Sequence, residues 1–227
     1  RSYGGWTPRN GSHARYGQKV SLLWALQHSN NWVSASLITT LGPQQFVGIL
    51  HDFGLNNPDI DRNATPVLSL GPCEVSVGEM VSAYTAFANG GVRCAPLFVT
   101  KIEDSHGNVI AKFQPLMTEV ISEDNSYRMI DMMRAVIDGG TGSRLKSQYG
   151  MQGDICGKTG TTNSNSDGWF IAFTPELVSG VWVGGEDRDI HFDSTSLGQG
   201  ASAALPIWAY FMKKIYADRE LGYSDKR

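Results

Sequence analysis

Apolar residues recur every third or fourth position through most of this chain and change to alternation only in its last third. The helical period first shows from about Ser21 to Gln27, pauses at Ser29-Asn30-Asn31 and resumes from Trp32 to Leu41, stopping at Gly42-Pro43. Pro43 suits the first position of another helix, and Phe46, Ile49, Leu50 and Phe53 follow at i, i+3, i+4 and i+7 before Gly54. The stretch from Asn56 to Leu70, broken by prolines and an Asn-Pro step, predicts a loop. Ser76-x-x-Glu79 is a capping box, and Met80, Val81, Tyr84, Phe87 and Ala88 continue it as a helix that Asn89-Gly90-Gly91 ends. Ser122 caps a further helix with Glu123 and Asp124 in its first turn. Its buried stripe is Met129, Ile130, Met133, Val136 and Ile137, and Gly139-Gly140 closes it.

The strand signals come later. Leu97–Glu103 and Val109–Phe113 flank Asp104-Ser105-His106-Gly107-Asn108, which predicts a hairpin. Further strands are expected near 154–161, 168–174 and 177–184, the last two joined by Thr174-Pro175-Glu176. A closing helix from about Ala201 to Tyr216 sets Leu205, Trp208, Met212 and Ile215 on one face, whereas the first twenty residues, rich in Gly, Ser, Tyr and Arg, read as irregular backbone. Helices, then strands, then a helix predict an α+β fold with helices packed on an antiparallel sheet, and no internal repeat is visible.

Composition removes several function classes. A chain of 227 residues can hold one large domain. Its net charge of −3, with no Lys/Arg cluster, gives no electrostatic case for nucleic acid. No apolar run approaches the ~18 residues of a membrane span. No signal-peptide pattern opens the chain, and a start at Arg1 rather than Met reads as a processed or excised piece. Cys73, Cys94 and Cys156 are expected to be free: the helix between the first two holds its ends ~18 Å apart, beyond disulfide reach. His13, His28, His51, His106 and His191 lack ligand spacing, no cysteine pair suits zinc, and no phosphate-cradling loop is present, so no cofactor or metal is expected. Glu186-Asp187-Arg188-Asp189 reads as a solvated turn.

The chemistry concentrates in Gly157-Lys158-Thr159-Gly160-Thr161-Thr162. On an edge strand, alternation sets Lys158 and Gly160 on one face and Thr159 and Thr161 on the other. A substrate lying along that edge could take backbone hydrogen bonds, and Gly160 would admit it closely. Lys158 supplies positive potential, the two threonines supply hydroxyls for a carboxylate, and a backbone N–H could face a developing oxyanion. The plainer alternative is a solvated strand end. Ser29-x-Asn31 offers a hydroxyl and an amide at a helix break, where both residues also serve merely to satisfy backbone groups. A Ser-x-x-Lys spacing, which on a helix would set an amine beside a hydroxyl nucleophile, occurs at Ser143-Arg144-Leu145-Lys146. It follows Ser29-x-Asn31 and sits just after Thr141-Gly142, where a loop leaving the helix explains it better.

Together these pieces resemble the transpeptidase domain of bifunctional (class A) penicillin-binding proteins over nearly the whole chain, 1–227 reading as the C-terminal part of one such domain. The resemblance rests on Gly17 through Asn31, on Ser69-Leu70-Gly71, on Ala88-Asn89-Gly90-Gly91 and on Thr141-Gly142 after Gly140. It is most specific in Gly157 through Thr162, in the stretch from Asp167 through Asp187, and from Gly200 through Met212 with Pro206-Ile207-Trp208. It implies peptidoglycan cross-linking by acyl transfer from D-Ala-D-Ala through a serine acyl-enzyme, with stem peptides and β-lactams as partners, at the periplasmic face of the inner membrane. By motif match Ser29 would relay a proton to the leaving group, Asn31 would bind the substrate peptide and Lys158 would set the local field. Thr159 and Thr161 would bind the terminal carboxylate, and the Thr161 N–H would form half of the oxyanion hole. The family's Ser-x-x-Lys lies before Ser29, and 1–16 contains none, so this polypeptide is expected to be inactive alone and to pair with an N-terminal part of the same protein or to oligomerise. A D,D-carboxypeptidase or β-lactamase of the same fold, and a non-catalytic scaffold relative, are the competing readings.

Overall fold

The computed structural model describes residues 2–11, 15 and 17–224; His13 lies outside them. A short α1 (Leu22–Gln27), capped by Ser21, leads through a sharp joint into α2 (Asn31–Leu41) and α3 (Pro43–Asp52). Next come α4 (Pro58–Arg62), a 3-10 turn at Pro66–Leu70 and α5 (Val77–Ala88), where the Ser76/Glu79 capping box is made in both directions. β1 (Val92–Cys94) pairs antiparallel with β4 (Met117–Glu119), and between them β2 (Lys101–Glu103) and β3 (Val109–Lys112) form the expected hairpin. The helix α6 (Glu123–Gly139), capped by Ser122, is followed by a single turn, α7 (Arg144–Ser147). The chain then lays down β5 (Cys156–Thr161), β6 (Asp167–Phe173) and β7 (Val178–Gly184) as one antiparallel sheet in that order. A turn of helix, α8 (Thr195–Gly198), precedes the long α9 (Gly200–Ala217).

This is the α+β architecture the periodicity predicts. The sheet has a helix on each side. Phe170 on β6 faces α9, where it meets Trp208 edge-on with ring centroids 5.5 Å apart, and Ala172, Leu205, Ala209 and Met212 share that core with Ile137 and Leu145. On the other face, Gly180 of β7 lies against Val77 and Val81 of α5. A second core joins α2 to α5 through Ile38, Val47, Ile60, Leu68 and Ala86, and Met133, Cys156 and Phe173 form a small cluster at the sheet. Truncating the fully buried Trp208 to Ala would cost about 3–5 kcal/mol.

Four details depart from the sequence expectations. The 56–70 segment is partly helical rather than a loop: Asn57 accepts the Asp59 N–H as an N-cap, Pro58 takes the first helical position, and Ile60 and Leu68 are buried. The β1–β4 pair has no counterpart in the sequence reading. The first hairpin strand begins at Lys101, not Leu97, and its register slips between Ile102 and Glu103. Arg144, Leu145 and Lys146 lie on the helical turn α7, with Ser143 at its N-cap position, rather than in a loop. The three cysteines are free, as expected.

Candidate active site

Register on the sheet decides where each side chain of the Lys-Thr-Gly strand goes. Thr159 pairs with Phe170 and Thr161 with Gly168, whereas Lys158 pairs with Ile171 and Gly160 with Trp169. Directly paired residues of antiparallel strands share a face. Thr159 and Thr161 therefore share the α9 face with Phe170, and Lys158 and Gly160 take the opposite one, as the alternation predicts. Among the described residues β5 is hydrogen-bonded only to β6, so its outer edge is open there. A Cβ on Gly157 would lie 2.7 Å from the Ala172 Cβ, so only glycine lets the two strands close there.

Ser29 is delivered to this strand by the α1–α2 joint. Its own N–H donates to the Leu26 carbonyl (3.1 Å), the Asn30 N–H donates to the Ala25 carbonyl (2.8 Å), and the buried Asn30 side chain accepts the Val33 N–H. These bonds hold Ser29 at φ +50°, a conformation costly for a residue with a Cβ and characteristic of functional sites. The consequence is direct: Lys158 Nζ donates to Ser29 Oγ and also to the Thr159 carbonyl (2.8 Å). Both acceptors are neutral. With protein packed round it and, among the described residues, no carboxylate paired with it, the ammonium loses hydration without a counter-charge, and desolvation lowers the Lys158 pKa to about 8.

Thr159 and Thr161 differ in what their hydroxyls touch. Thr159 Oγ1 donates to Thr141 Oγ1 at 2.7 Å. Thr161 Oγ1 instead accepts the Gly200 N–H at 3.0 Å, at the start of α9, which leaves its own O–H available as a donor. Thr161 is exposed. Asn31 begins α2. Its amide Nδ2 donates to the Arg9 carbonyl (2.6 Å), and its backbone N–H donates to Asn10 Oδ1 (2.8 Å). Among the described residues no hydrogen bond joins Asn31 to Ser29 or Lys158. The structure thus joins Ser29 to Lys158, lines Thr159, Gly160 and Thr161 along the adjoining edge, and engages Asn31 with the 9–10 segment.

Ser143 and Lys146 do not form an activated pair. Lys146 Nζ donates to Asp138 Oδ1 at 2.6 Å, and the Ser143 side chain makes no cap bond. Three residues around the site were given no role by the sequence reading, although the resemblance quotes each of them. Thr141 stood only in the Thr141-Gly142 match, and Gly200 only as the start of the segment through Met212. Asp167 accepts from Thr162 and from Trp182 beside the end of β5. The turn read as solvated also sends Arg188 to Asp167, at 3.4 Å.

Known proteins share this sequence and this fold. A family model, the penicillin-binding protein transpeptidase domain, matches residues 1–187. Penicillin-binding protein 1A of Aquifex aeolicus is 35% identical over 213 residues, 92% of this chain and 27% of that protein. The Neisseria lactamica penicillin-binding protein 1A is 34% identical over 217 residues, 92% of this chain and 26% of its own length. The chain thus spans about a quarter of the length of these curated relatives. The crystal structure of penicillin-binding protein 1A from Haemophilus influenzae superposes with a TM-score of 0.77 at 26% identity, over 93% of this chain and 38% of that one. The D,D-transpeptidase domain of a peptidoglycan glycosyltransferase from Eggerthella lenta shares the fold, with a TM-score of 0.68 at 23% identity over 94% of this chain and 58% of that one. The family model covers well over half of the chain, which therefore belongs to the penicillin-binding protein transpeptidase domain family, with class A proteins of the 1A type as its relatives.

Proposed function

We propose that this chain forms two walls of a peptidoglycan D,D-transpeptidase cleft, the Ser29-x-Asn31 wall and the Lys158-Thr159-Gly160-Thr161 wall, working at the periplasmic face of the bacterial inner membrane. The observation that carries this reading is the hydrogen bond from Lys158 to Ser29 across 129 residues of sequence. It aligns an amine of lowered pKa with a hydroxyl at the open edge of a strand.

In this reading a serine outside these 227 residues attacks the carbonyl between the two D-Ala residues of a stem peptide, and a tetrahedral oxyanion forms. The Thr161 N–H and the nucleophile's own N–H receive that oxyanion. The C–N bond breaks as Ser29, held by Lys158, relays to the departing D-Ala amine the proton that the attacking serine hydroxyl gives up. An amine of a neighbouring stem peptide then attacks the acyl-enzyme, the ester C–O bond breaks, and the proton the amine loses returns to the serine oxygen. Thr161 donates its free O–H to the terminal carboxylate, or to the equivalent group of a β-lactam. Thr159 joins it by turning its hydroxyl from Thr141. Asn31 binds the substrate peptide on exchanging the Arg9 carbonyl for it. Gly160 keeps the edge open to close approach.

Fluorescent penicillin tests this. In the full product of the gene, Lys158→Ala and Ser29→Ala are each expected to slow acylation by about a hundredfold, in the range of losing an acid–base group. The 227-residue chain alone is expected to remain unlabelled. Acylation at the wild-type rate in both variants would sink the site assignment, and an adduct mapped to Ser143 would sink the placement of the nucleophile.

A further inference from the structure

Asp167 opens β6, yet its carboxylate ties three other segments together. Thr162 Oγ1, just past the Lys-Thr-Gly strand, donates to Asp167 Oδ2 at 2.7 Å. Trp182 Nε1 on β7 donates to Oδ1 at 2.9 Å. Arg188, on the 185–194 loop, approaches Oδ2 at 3.4 Å. The backbone doubles the first link: the Asp167 N–H donates to Thr162 Oγ1 (3.0 Å), and the Thr162 N–H donates to the Asp167 carbonyl (3.2 Å). The side chain is only 19% exposed, and both of its oxygens accept from neighbours.

What these bonds close is a connection under backbone strain. Between Thr162 and Asp167, Ser164 and Asn165 stand in succession at φ +61° and +59°, where residues with a Cβ are uncommon. The same connection carries the next loop. Asn165 Nδ2 donates to the Phe192 carbonyl at 3.3 Å, and a Cβ on Gly198 would come within 2.6 Å of the Asn165 Cβ. Two residues beyond Gly198 lies Gly200, whose N–H holds the Thr161 hydroxyl. Asp167 thus anchors both supports of Thr161, the strand end that carries it and the loop that delivers its hydrogen-bond donor.

We propose that Asp167 is the positioning residue for Thr161, holding its hydroxyl in register with the carboxylate end of the acyl donor. This rests on the reading of Thr161 given above. Single and double variants of the gene's full product are compared by the second-order rate constant of acylation with fluorescent penicillin. Thr161→Val is expected to slow acylation, and Asp167→Ala to slow it about tenfold. In the Thr161→Val background, Asp167→Ala should add less than about a twofold loss, because coupled residues are not additive. Equal losses in both backgrounds mark Asp167 as a general structural residue and overturn the proposal, as does a wild-type rate for Asp167→Ala. Should Asp167→Ala not fold, Asp167→Asn, which keeps the shape and one acceptor oxygen, decides by the same cycle. Wild-type acylation by Thr161→Val sinks the carboxylate reading and this proposal with it. A slow Thr161→Val beside an unaffected Asp167→Ala sinks this proposal alone.

Discussion

The amine of Lys158 ties stability to pH in a defined window. Its pKa is lowered to about 8 in the folded protein, while an unfolded lysine keeps its ordinary value near 10.4. Between these values the unfolded chain binds a proton that the folded chain does not. Stability must therefore rise with pH across the window, and the cost of burying the charge is fully present below it. Relative to a Lys158→Met variant, which does not titrate there, the wild type is expected to gain melting temperature from about pH 8 to about pH 10.4. A difference in Tm that stays flat over that range would show that Lys158 is well hydrated. The same residue shows why the site is economical: an ammonium facing only a serine hydroxyl and a carbonyl is held ready to change its protonation, whereas one facing a carboxylate would be fixed as a cation.

At the level of elements, the first residue of α9 sets how closely the helix approaches the sheet. A Cβ at Gly200 would lie 2.3 Å from the Trp169 carbonyl oxygen and 2.4 Å from that of Gly160, both backbone atoms that cannot step aside. Gly200→Ala is expected to lower stability by about 1–3 kcal/mol, as overpacking does, and to slow acylation by withdrawing the donor from Thr161. Thermal melting and fluorescent-penicillin labelling measure the two effects, and a variant that melts with the wild type would contradict the close seating of α9. Elements with local signals were legible in sequence. Ser76 with Glu79, Ser122 and Gly139-Gly140 mark helix ends through bonds within a few residues, and the alternation along 156–161 foretold which way Lys158 and Thr159 face. The short α4 was hidden because Asn57-Pro58 serves equally as a breaker and as a helix start. β1 and β4 were hidden because each is three residues long and the whole hairpin separates them. Thr141 and Gly200 became site neighbours only through tertiary packing, which no local spacing records.

On the scale of the whole molecule, the surface is uneven. Phe98 is 94% exposed, Ile110 68% and Leu116 66%, all near the β2–β3 hairpin, and Leu22, Leu23 and Leu37 are exposed on α1 and α2. Apolar surface of this kind drives association. The isolated 227-residue chain is expected to self-associate, and light scattering that finds a stable monomer at working concentrations would count against it. One further consequence follows from the bond between Lys158 and Ser29. It joins positions 129 apart, so closing it carries a loop entropy that grows with the length enclosed and must be met by contacts already in place. Local helices can form before such a closure; the cleft cannot. In refolding, helical circular dichroism of the gene's full product should recover ahead of its reactivity toward penicillin, and simultaneous recovery would argue against this order. A β-lactam then works as a conformational census, reacting with molecules whose two distant walls have met and passing over those still assembling.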